Sequence, residues 1–245
     1  MAMSNIHIDL SEEIEQDLLS KYKSLCEEVT QKLNGMYQEL EEMCTKTQYE
    51  PMVNVVNTTI SLFNEEIYGI SNQVFDEWID GEGSFTAISE NSQSGESALE
   101  TAKQIEKSIE DLFDGFWSAH PLGEAVQLDT SRPKVKSEDF DELKEIYTRI
   151  FQEVETLGEE TINEIKEAGS DDATYNVIIP AVKAITEPMK TAFEQFSAKI
   201  DEAKEDSEKL KQQQDTKNEE AAQLATDTSG TAADIAEALN MFNDI

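Results

Sequence analysis

Histidine, the side chain that most often binds metal ions in proteins, is rare in this chain. Its histidines are His7 and His120, and neither lies three residues after a glutamate, as the Glu-x-x-His motifs of di-iron helical bundles require. The acidic segment that begins at Asp76 does not fit a calcium-binding loop, because Trp78 and Ala87 would occupy positions that need oxygen ligands. We therefore expect no metal ion and no cofactor.

The sequence also offers no plausible nucleophile. Cys26 and Cys44 are 18 residues apart in a segment predicted to be one helix, which separates them by roughly 27 Å and prevents a disulfide. We interpret both as small core residues of a chain that folds in a reducing cytosol. The chain lacks Gly-x-Ser-x-Gly and Gly-rich phosphate-binding motifs, so we predict that it is not an enzyme and find no evident small-molecule substrate.

The charge of the chain excludes further classes of partner. Its 245 residues include 53 Asp and Glu against 19 Lys and Arg, for a net charge of -34. Such a surface repels phosphate groups, so we expect no nucleic-acid binding and no charge-driven binding to anionic membranes. The sequence shows neither an apolar run of transmembrane length nor a signal-peptide pattern. We expect a bacterial protein that is cytoplasmic when folded, with secretion by a route without a cleaved signal peptide left open.

The first predicted module is a helical hairpin over residues 1–80. A helix is expected from about Ser11 to Thr47, because apolar residues recur at steps of three and four. Pro51 suits the first turn of a second helix. That helix carries a heptad seam, spaced three and four residues apart, which consists of Val53, Val56, Ile60, Phe63, Ile67, Ile70 and Val74.

Residues 81–136 are expected to connect this hairpin to a second one over residues 137–215. The connection comprises a loop over 81–95, a shorter helix between Ala98 and Phe116, and a linker over 120–136. In the second hairpin, one helix spans about 137–168. Pro180 is expected in the first turn of the next helix, and Pro188 is expected either to kink that helix or to delay its start.

The final segment, 216–245, is predicted to be a tail with a terminal helix over about 232–242, capped by Thr231. The fold class is therefore all-α: two long antiparallel helical hairpins, joined by a shorter helix and a linker, form an elongated helical bundle. The two halves of the chain also resemble each other, as in an internal repeat. Tyr22, Glu28 and Val29 align with Tyr147, Glu153 and Val154. Whether this is a true duplication, and whether the hairpins share one core, stays open.

Two groups of apolar residues are candidates for binding a partner. The seam of the second helix supplies Val56, Ile60, Phe63 and Ile67, whose exposed parts would contact another helix. Aromatic residues near the ends of the second and third helices supply Phe75, Trp78, Phe116 and Trp117, and tryptophan often dominates interface energies. The alternative interpretation is that the aromatic residues cap the end of the bundle core.

One family resemblance follows from the helical hairpins and two short motifs. Tyr37 and Glu41 match the Tyr-x-x-x-Asp/Glu pattern, and the run Leu33-Asn34-Gly35 matches Leu-x-Gly. With two acidic hairpins, the chain resembles the WXG/LXG superfamily of type VII secretion, in which helical hairpins pair into four-helix bundles. The resemblance implies that Tyr37 and Glu41 form an export signal. Neither predicted hairpin turn contains Trp-x-Gly, which favours a helical partner of an exported protein over a free-standing substrate.

The leading hypothesis is therefore a non-enzymatic interaction protein, a partner, targeting or accessory factor of type VII protein secretion that packs against another helical protein or a second copy. Two alternatives belong to other classes. One is an α-helical pore-forming or membrane-active component, for which the most apolar segment is 174–185. The other is a structural coiled-coil scaffold of a phage particle or cell envelope.

The charge pattern gives a prediction about stability. Narrow apolar stripes leave Asp and Glu on the outer helix faces, where i, i+4 carboxylate pairs repel by a few tenths of a kcal/mol each. We expect the melting temperature to rise as salt increases from about 0.01 M to about 0.1 M, because the screening length falls from about 30 Å to about 10 Å. Thermal unfolding followed by circular dichroism measures this, and a melting temperature that fell with added salt would contradict it.

Overall fold

The computed structural model describes residues 12–91, 95–119, 124–127, 136–168 and 172–243. The described residues are 93% helical and contain no strand, which confirms the all-α fold class. The helices are α1 (Glu12–Thr47), α2 (Glu50–Ser61), α3 (Tyr68–Ile79), α4 (Phe85–Asn91), α5 (Glu96–Ser118), α6 (Ser137–Ala168) and α7 (Asp172–Asn243). A π-helical segment, Leu62–Ile67, connects α2 to α3.

The chain divides into two compact units, Met1–Ile200 and Asp201–Ile245. Both predicted hairpins contribute to the first unit, in which α1 packs against α2, α5 and α6. The two tyrosines matched by the repeat each bond to the other half of the chain. The Tyr22 hydroxyl donates to the Ala181 carbonyl at 3.4 Å, and the hydroxyls of Tyr147 and Thr59 lie 2.6 Å apart. The two hairpins therefore share one core.

Ion pairs and aromatic contacts join the same two halves. Lys32 Nζ lies 2.9 Å from a Glu153 carboxylate oxygen, and Arg149 donates to both carboxylate oxygens of Glu39. Deeper in the unit, Phe63 contacts two aromatic rings of the second half, Phe151 at 6.3 Å and Phe196 at 6.0 Å, which are themselves 6.1 Å apart. The apolar contacts define the core, because exposed ion pairs contribute only about 0–1 kcal/mol each.

The turn between α1 and α2 forms where the sequence predicts it. Gln48 adopts a left-handed backbone conformation with φ of 47°, and its N–H donates to the Cys44 carbonyl at 2.8 Å. This is the usual way in which a helix end satisfies a free carbonyl. Pro51 follows in the first turn of α2, as expected.

The heptad seam predicted for the second helix is wrong beyond Ile67. Ile70 is 39% exposed, whereas Ser71, Phe75 and Trp78 are buried. The reason is the π-helical segment Leu62–Ile67. A π-helix bonds residue i to i+5 and accommodates an extra residue in the turn, so the buried face advances by one position after it.

The predicted loop over 81–95 contains a helix, α4. The Ser84 hydroxyl accepts a hydrogen bond from the Ala87 N–H at 3.1 Å, which caps the helix. Glu106 of α5 accepts from both the backbone N–H and the hydroxyl of Thr86, and Phe85 is fully buried. Contacts with α5 thus order a Gly- and Ser-rich segment whose own sequence favours a loop.

Helix α7 also differs from its prediction. It begins at Asp172 and ends at Asn243, so Pro180 lies inside the helix rather than in its first turn, and Pro188 does not mark a delayed start. Thr231 does not cap a separate terminal helix. Each proline removes one backbone donor from the helix, and contacts from other helices compensate for this loss at the second proline, as described below.

Gly158 of α6 provides a test of how α6 packs against α7. A Cβ atom at this position would lie 2.8 Å from Thr186 Cγ2, whereas a Cβ at Gly35 of α1 would have nothing within 4 Å. Both substitutions to alanine gain helix propensity of about 0.5–1 kcal/mol. We expect Gly35→Ala to raise the free energy of unfolding, and Gly158→Ala to lie at least about 1 kcal/mol below it, because overpacking costs about 1–3 kcal/mol. Equal values in urea unfolding would contradict this packing.

Candidate functional site

All eight predicted partner-binding residues lie in the interior of the first unit. None exceeds 7% exposure; they are Val56, Ile60, Phe63, Ile67, Phe75, Trp78, Phe116 and Trp117. The expectation that these residues are partly exposed is therefore wrong. The physical reason is that both hairpins contribute to one core. Residues of α6 and α7 contact Thr59 and Phe63 and so cover a face that a separate hairpin would leave open.

The aromatic residues of α3 and α5 pack on one another. Phe75 stacks on Phe113 with ring centroids 4.2 Å apart, Phe75 contacts Trp78 at 5.3 Å, and Phe116 meets Trp117 edge-on at 4.9 Å. These residues thus form part of the core, as the alternative interpretation expected. Replacement of Trp117 would consequently destabilise the fold, so its effect on partner binding would be indirect.

Helix α7 accepts hydrogen bonds from buried side chains of α1 and α3. Trp78 Nε1 donates to the Val177 carbonyl at 2.9 Å, and the Tyr22 hydroxyl donates to the Ala181 carbonyl. The Ser71 hydroxyl donates to the Ala184 carbonyl. The three acceptor carbonyls span a little over two turns of α7, in the same part of the helix as Pro180 and Pro188.

The hydrogen bond from Ser71 replaces a backbone hydrogen bond that α7 cannot form. In an α-helix the N–H of residue i donates to the carbonyl of residue i−4. Pro188 has no N–H, so the Ala184 carbonyl lacks its usual partner within the helix. Ser71 supplies a donor, and Trp117 Nε1 donates in turn to the Ser71 hydroxyl at 3.2 Å. One buried serine therefore connects α3, α5 and α7. A proline inside an apolar helix is a sequence signal for such a contact. The sequence does not indicate which residue supplies the hydrogen-bond donor.

The two residues of the predicted export signal have different environments. Glu41 is exposed, whereas Tyr37 is half-buried, and its hydroxyl donates to the Glu124 carbonyl at 3.2 Å. The same linker segment is held by Asn57, whose side chain donates to the Val126 carbonyl at 3.0 Å and accepts from the Val126 N–H at 2.7 Å. Tyr37 and Asn57 thus anchor residues 124–127, a role that the sequence analysis did not identify.

The buried polar groups offer no reactive centre in the described part of the chain. Burial raises the pKa of Cys26 and of Cys44 to about 12, so both thiols are protonated and poor nucleophiles near neutral pH. Burial likewise raises the pKa of Tyr147. Within the described ranges, no group of three or more His, Cys, Asp or Glu residues could hold a metal ion. His7 and His120 lie outside those ranges.

A groove of about 650 Å³ runs between α6 and α7 in the first unit. Gly158 marks their close approach, since even a Cβ there would meet Thr186. The apolar part of the lining includes Phe151 and Phe193, whose rings lie 5.6 Å apart. Glutamates and lysines line the remainder of the groove.

The second unit, Asp201–Ile245, contains the C-terminal part of α7. None of its described side chains, which end at residue 225, is buried. Leu210 is 58% exposed and Leu224 is 68% exposed, and no other large hydrophobic residue with a described side chain reaches these values. The helix between the two leucines is polar, and just before Leu210 an ion pair joins Lys209 to Glu205 at 2.8 Å.

Known proteins give no indication of function, so any assignment depends on the fold and on the surfaces described above. No protein-family model, curated protein or solved structure matches the chain. Among the described residues, no helix is both long enough and apolar enough to cross a membrane. In the segment 174–185, which a membrane-active protein would insert, Ile178, Val182 and Ile185 are fully buried in the core. The class that the structure defines is thus an all-α helical bundle.

Replacement of Ser71 tests the buried contact between α3, α5 and α7. We expect Ser71→Ala to lower the free energy of unfolding by about 1–3 kcal/mol, because the Trp117 N–H and the Ala184 carbonyl both lose a buried partner. Ser61 is exposed on the preceding helix, so Ser61→Ala serves as the matched control and should stay within about 0.5 kcal/mol of the parent. Equal unfolding midpoints for the two variants would show that the bond contributes little.

Proposed function

We propose that this chain is a non-enzymatic helical interaction protein that binds another helical protein through its second unit. The observation that carries the proposal is the exposure of Leu210 and Leu224 at 58% and 68%. These residues are 14 residues apart, which is two heptads, so they lie on one stripe of a supercoiled helix. Isolated exposed leucines are common on surfaces, but this spacing is typical of a coiled-coil seam.

The sequence of α7 continues the same heptad register beyond Leu224. If the two leucines are assigned to d positions, the following a and d positions are all apolar or threonine, namely Thr228, Thr231, Ile235, Ala238 and Phe242. Leucine at d is favourable in parallel two-stranded coiled coils. The polar residues Gln214 and Lys217 occupy the positions between the leucines, and such residues restrict the choice of partner.

The charge of the chain favours a different protein over a second copy as the partner. A homodimer would bring together two chains of net charge -34, whereas a less acidic helical protein would reduce the repulsion. The family resemblance suggests the particular setting, an accessory or targeting role in type VII secretion. In that setting Tyr37 and Glu41 would be the export signal. Exposed Glu41 is accessible, but Tyr37 would have to give up its bond to the Glu124 carbonyl.

Substitution of the two leucines tests the proposal. The full chain is immobilised and incubated with extract of its native host, and stoichiometrically bound protein is identified by mass spectrometry. We expect Leu210→Glu/Leu224→Glu to lower partner recovery at least about tenfold, because burial of each leucine contributes about 1.5–3 kcal/mol.

The matched control is Gln212→Glu/Gln223→Glu, which makes the same change in charge at exposed f and c positions, away from the seam. This control should retain the partner. Light scattering of the purified chain separately measures self-association. The proposal is wrong if no stoichiometric protein is recovered, or if both double variants retain it equally.

A further inference from the structure

The groove between α6 and α7 has an apolar part suited to receive side chains of a partner. Phe151 is buried and Phe193 is half-buried. Ile162, also half-buried, extends the apolar lining toward the C-terminal end of α6. On α6 the lining runs from Thr148 to Ile162, which corresponds to about 21 Å of helix. A groove of this length could accommodate about four turns of a docked helix.

The charged residues of the groove are mainly acidic. Its lining includes four glutamates and two lysines. Both lysines already face carboxylates of the groove, since Lys183 lies 3.1 Å from Glu187 and Lys190 lies 3.9 Å from Glu155. Glu159 and Glu194 are exposed. Neither forms an ion pair within the described part of the chain, so these two carboxylates remain available to a cation.

We propose that this groove binds a basic amphipathic helix of a partner protein. Apolar side chains at i, i+3, i+4 and i+7 would occupy the space over Phe151, Phe193 and Ile162, as in other helix-in-groove complexes. Lysine or arginine residues flanking that stripe would pair with Glu159 and Glu194. The occupant is not a second copy of this chain, because its net charge of -34 opposes docking against an acidic rim.

This inference rests on the proposed function, since it assigns a second surface to the same helical interaction protein and defines the chemistry of what binds there. It uses the first unit, whereas the proposed seam of Leu210 and Leu224 lies in the second unit. Variants of the two surfaces therefore separate the two ideas. A partner lost only by the leucine variant would support the proposed function and leave the groove to its own test.

The test uses a synthetic helical peptide of about 18 residues, in which leucines form one stripe and lysines cover the other faces. Fluorescence anisotropy measures its affinity for the full chain. Reversal of the free rim charges, Glu159→Lys/Glu194→Lys, should weaken binding roughly tenfold at low salt. Phe193→Ala should weaken it by a similar factor by removing apolar contact, and circular dichroism verifies that each variant remains folded.

Two controls exclude general attraction between a basic peptide and an acidic protein. Glu100 and Asp114 are exposed on α5, and Glu100→Lys/Asp114→Lys makes the same change in net charge away from the groove. This variant should change the affinity less than about twofold. A peptide of identical composition, with its leucines scrambled so that they form no stripe, should bind at least roughly tenfold more weakly than the amphipathic peptide.

The outcomes are decisive in either direction. Selective loss of affinity in the rim variant, together with a preference for the amphipathic peptide, supports the groove as a helix-binding site. Equal effects of the two charge-reversal variants, equal binding of the two peptides, or no binding of the amphipathic peptide would overturn it. If Phe193→Ala does not fold, the rim variant still decides the question, because both of its substitutions are at exposed positions.

Discussion

The packing of the first unit depends on how the backbone carbonyls in the proline-containing part of α7 obtain hydrogen-bond donors in the interior. Pro188 deprives the Ala184 carbonyl of its usual helical partner, and Ser71 supplies the missing donor. Ser71 in turn accepts from Trp117. A buried carbonyl without a partner costs about 1–3 kcal/mol, so helices α3, α5 and α7 must meet at this point. Neighbouring bonds from Trp78 and Tyr22 to other carbonyls of α7 fix the same helix against α3 and α1.

This constraint is connected to the π-helical segment between α2 and α3. Without the extra residue in that turn, the heptad spacing would direct Ile70 inward. With it, Ser71 faces α7, and Ile70 is exposed. The π-helical turn thus places Ser71 where it can donate to the carbonyl that Pro188 leaves without a helical donor. Local departures from ideal helix geometry often accompany function, but here the extra residue has an evident role in packing, since it brings a hydroxyl to a carbonyl that needs one.

Because the core is satisfied internally, the surfaces left for a partner are those that the core does not use. All eight predicted partner-binding residues are buried, and the thiols are buried and protonated. What remains is an acidic exterior, a partly apolar groove between α6 and α7, and the C-terminal part of α7 with Leu210 and Leu224. The two proposals use these surfaces, and the negative charge is the reason why each proposes a partner that is less acidic than this chain.

The sequence by itself determined the elements that depend on local periodicity. Helix α1, the turn before Pro51, the start of α6 at Ser137 and the buried stripes up to Ile67 follow from spacing and capping, which are properties of neighbouring residues. The all-α class follows for the same reason. Periodicity also made Trp78 and Trp117 recognisable as members of one aromatic group.

Only the tertiary structure decided how those elements combine. Glu106 of α5 holds α4, a segment that its glycines and serines would leave as a loop. Tyr37, a candidate export residue in the sequence, anchors the linker at Glu124. Whether an apolar stripe faces a partner or another part of the same chain depends on which helices meet. Ser71 bonds to a residue 113 positions away, and Gly158 packs against a residue 28 positions away. Contacts over such separations leave no periodic signal, so their outcome becomes visible only in the folded chain.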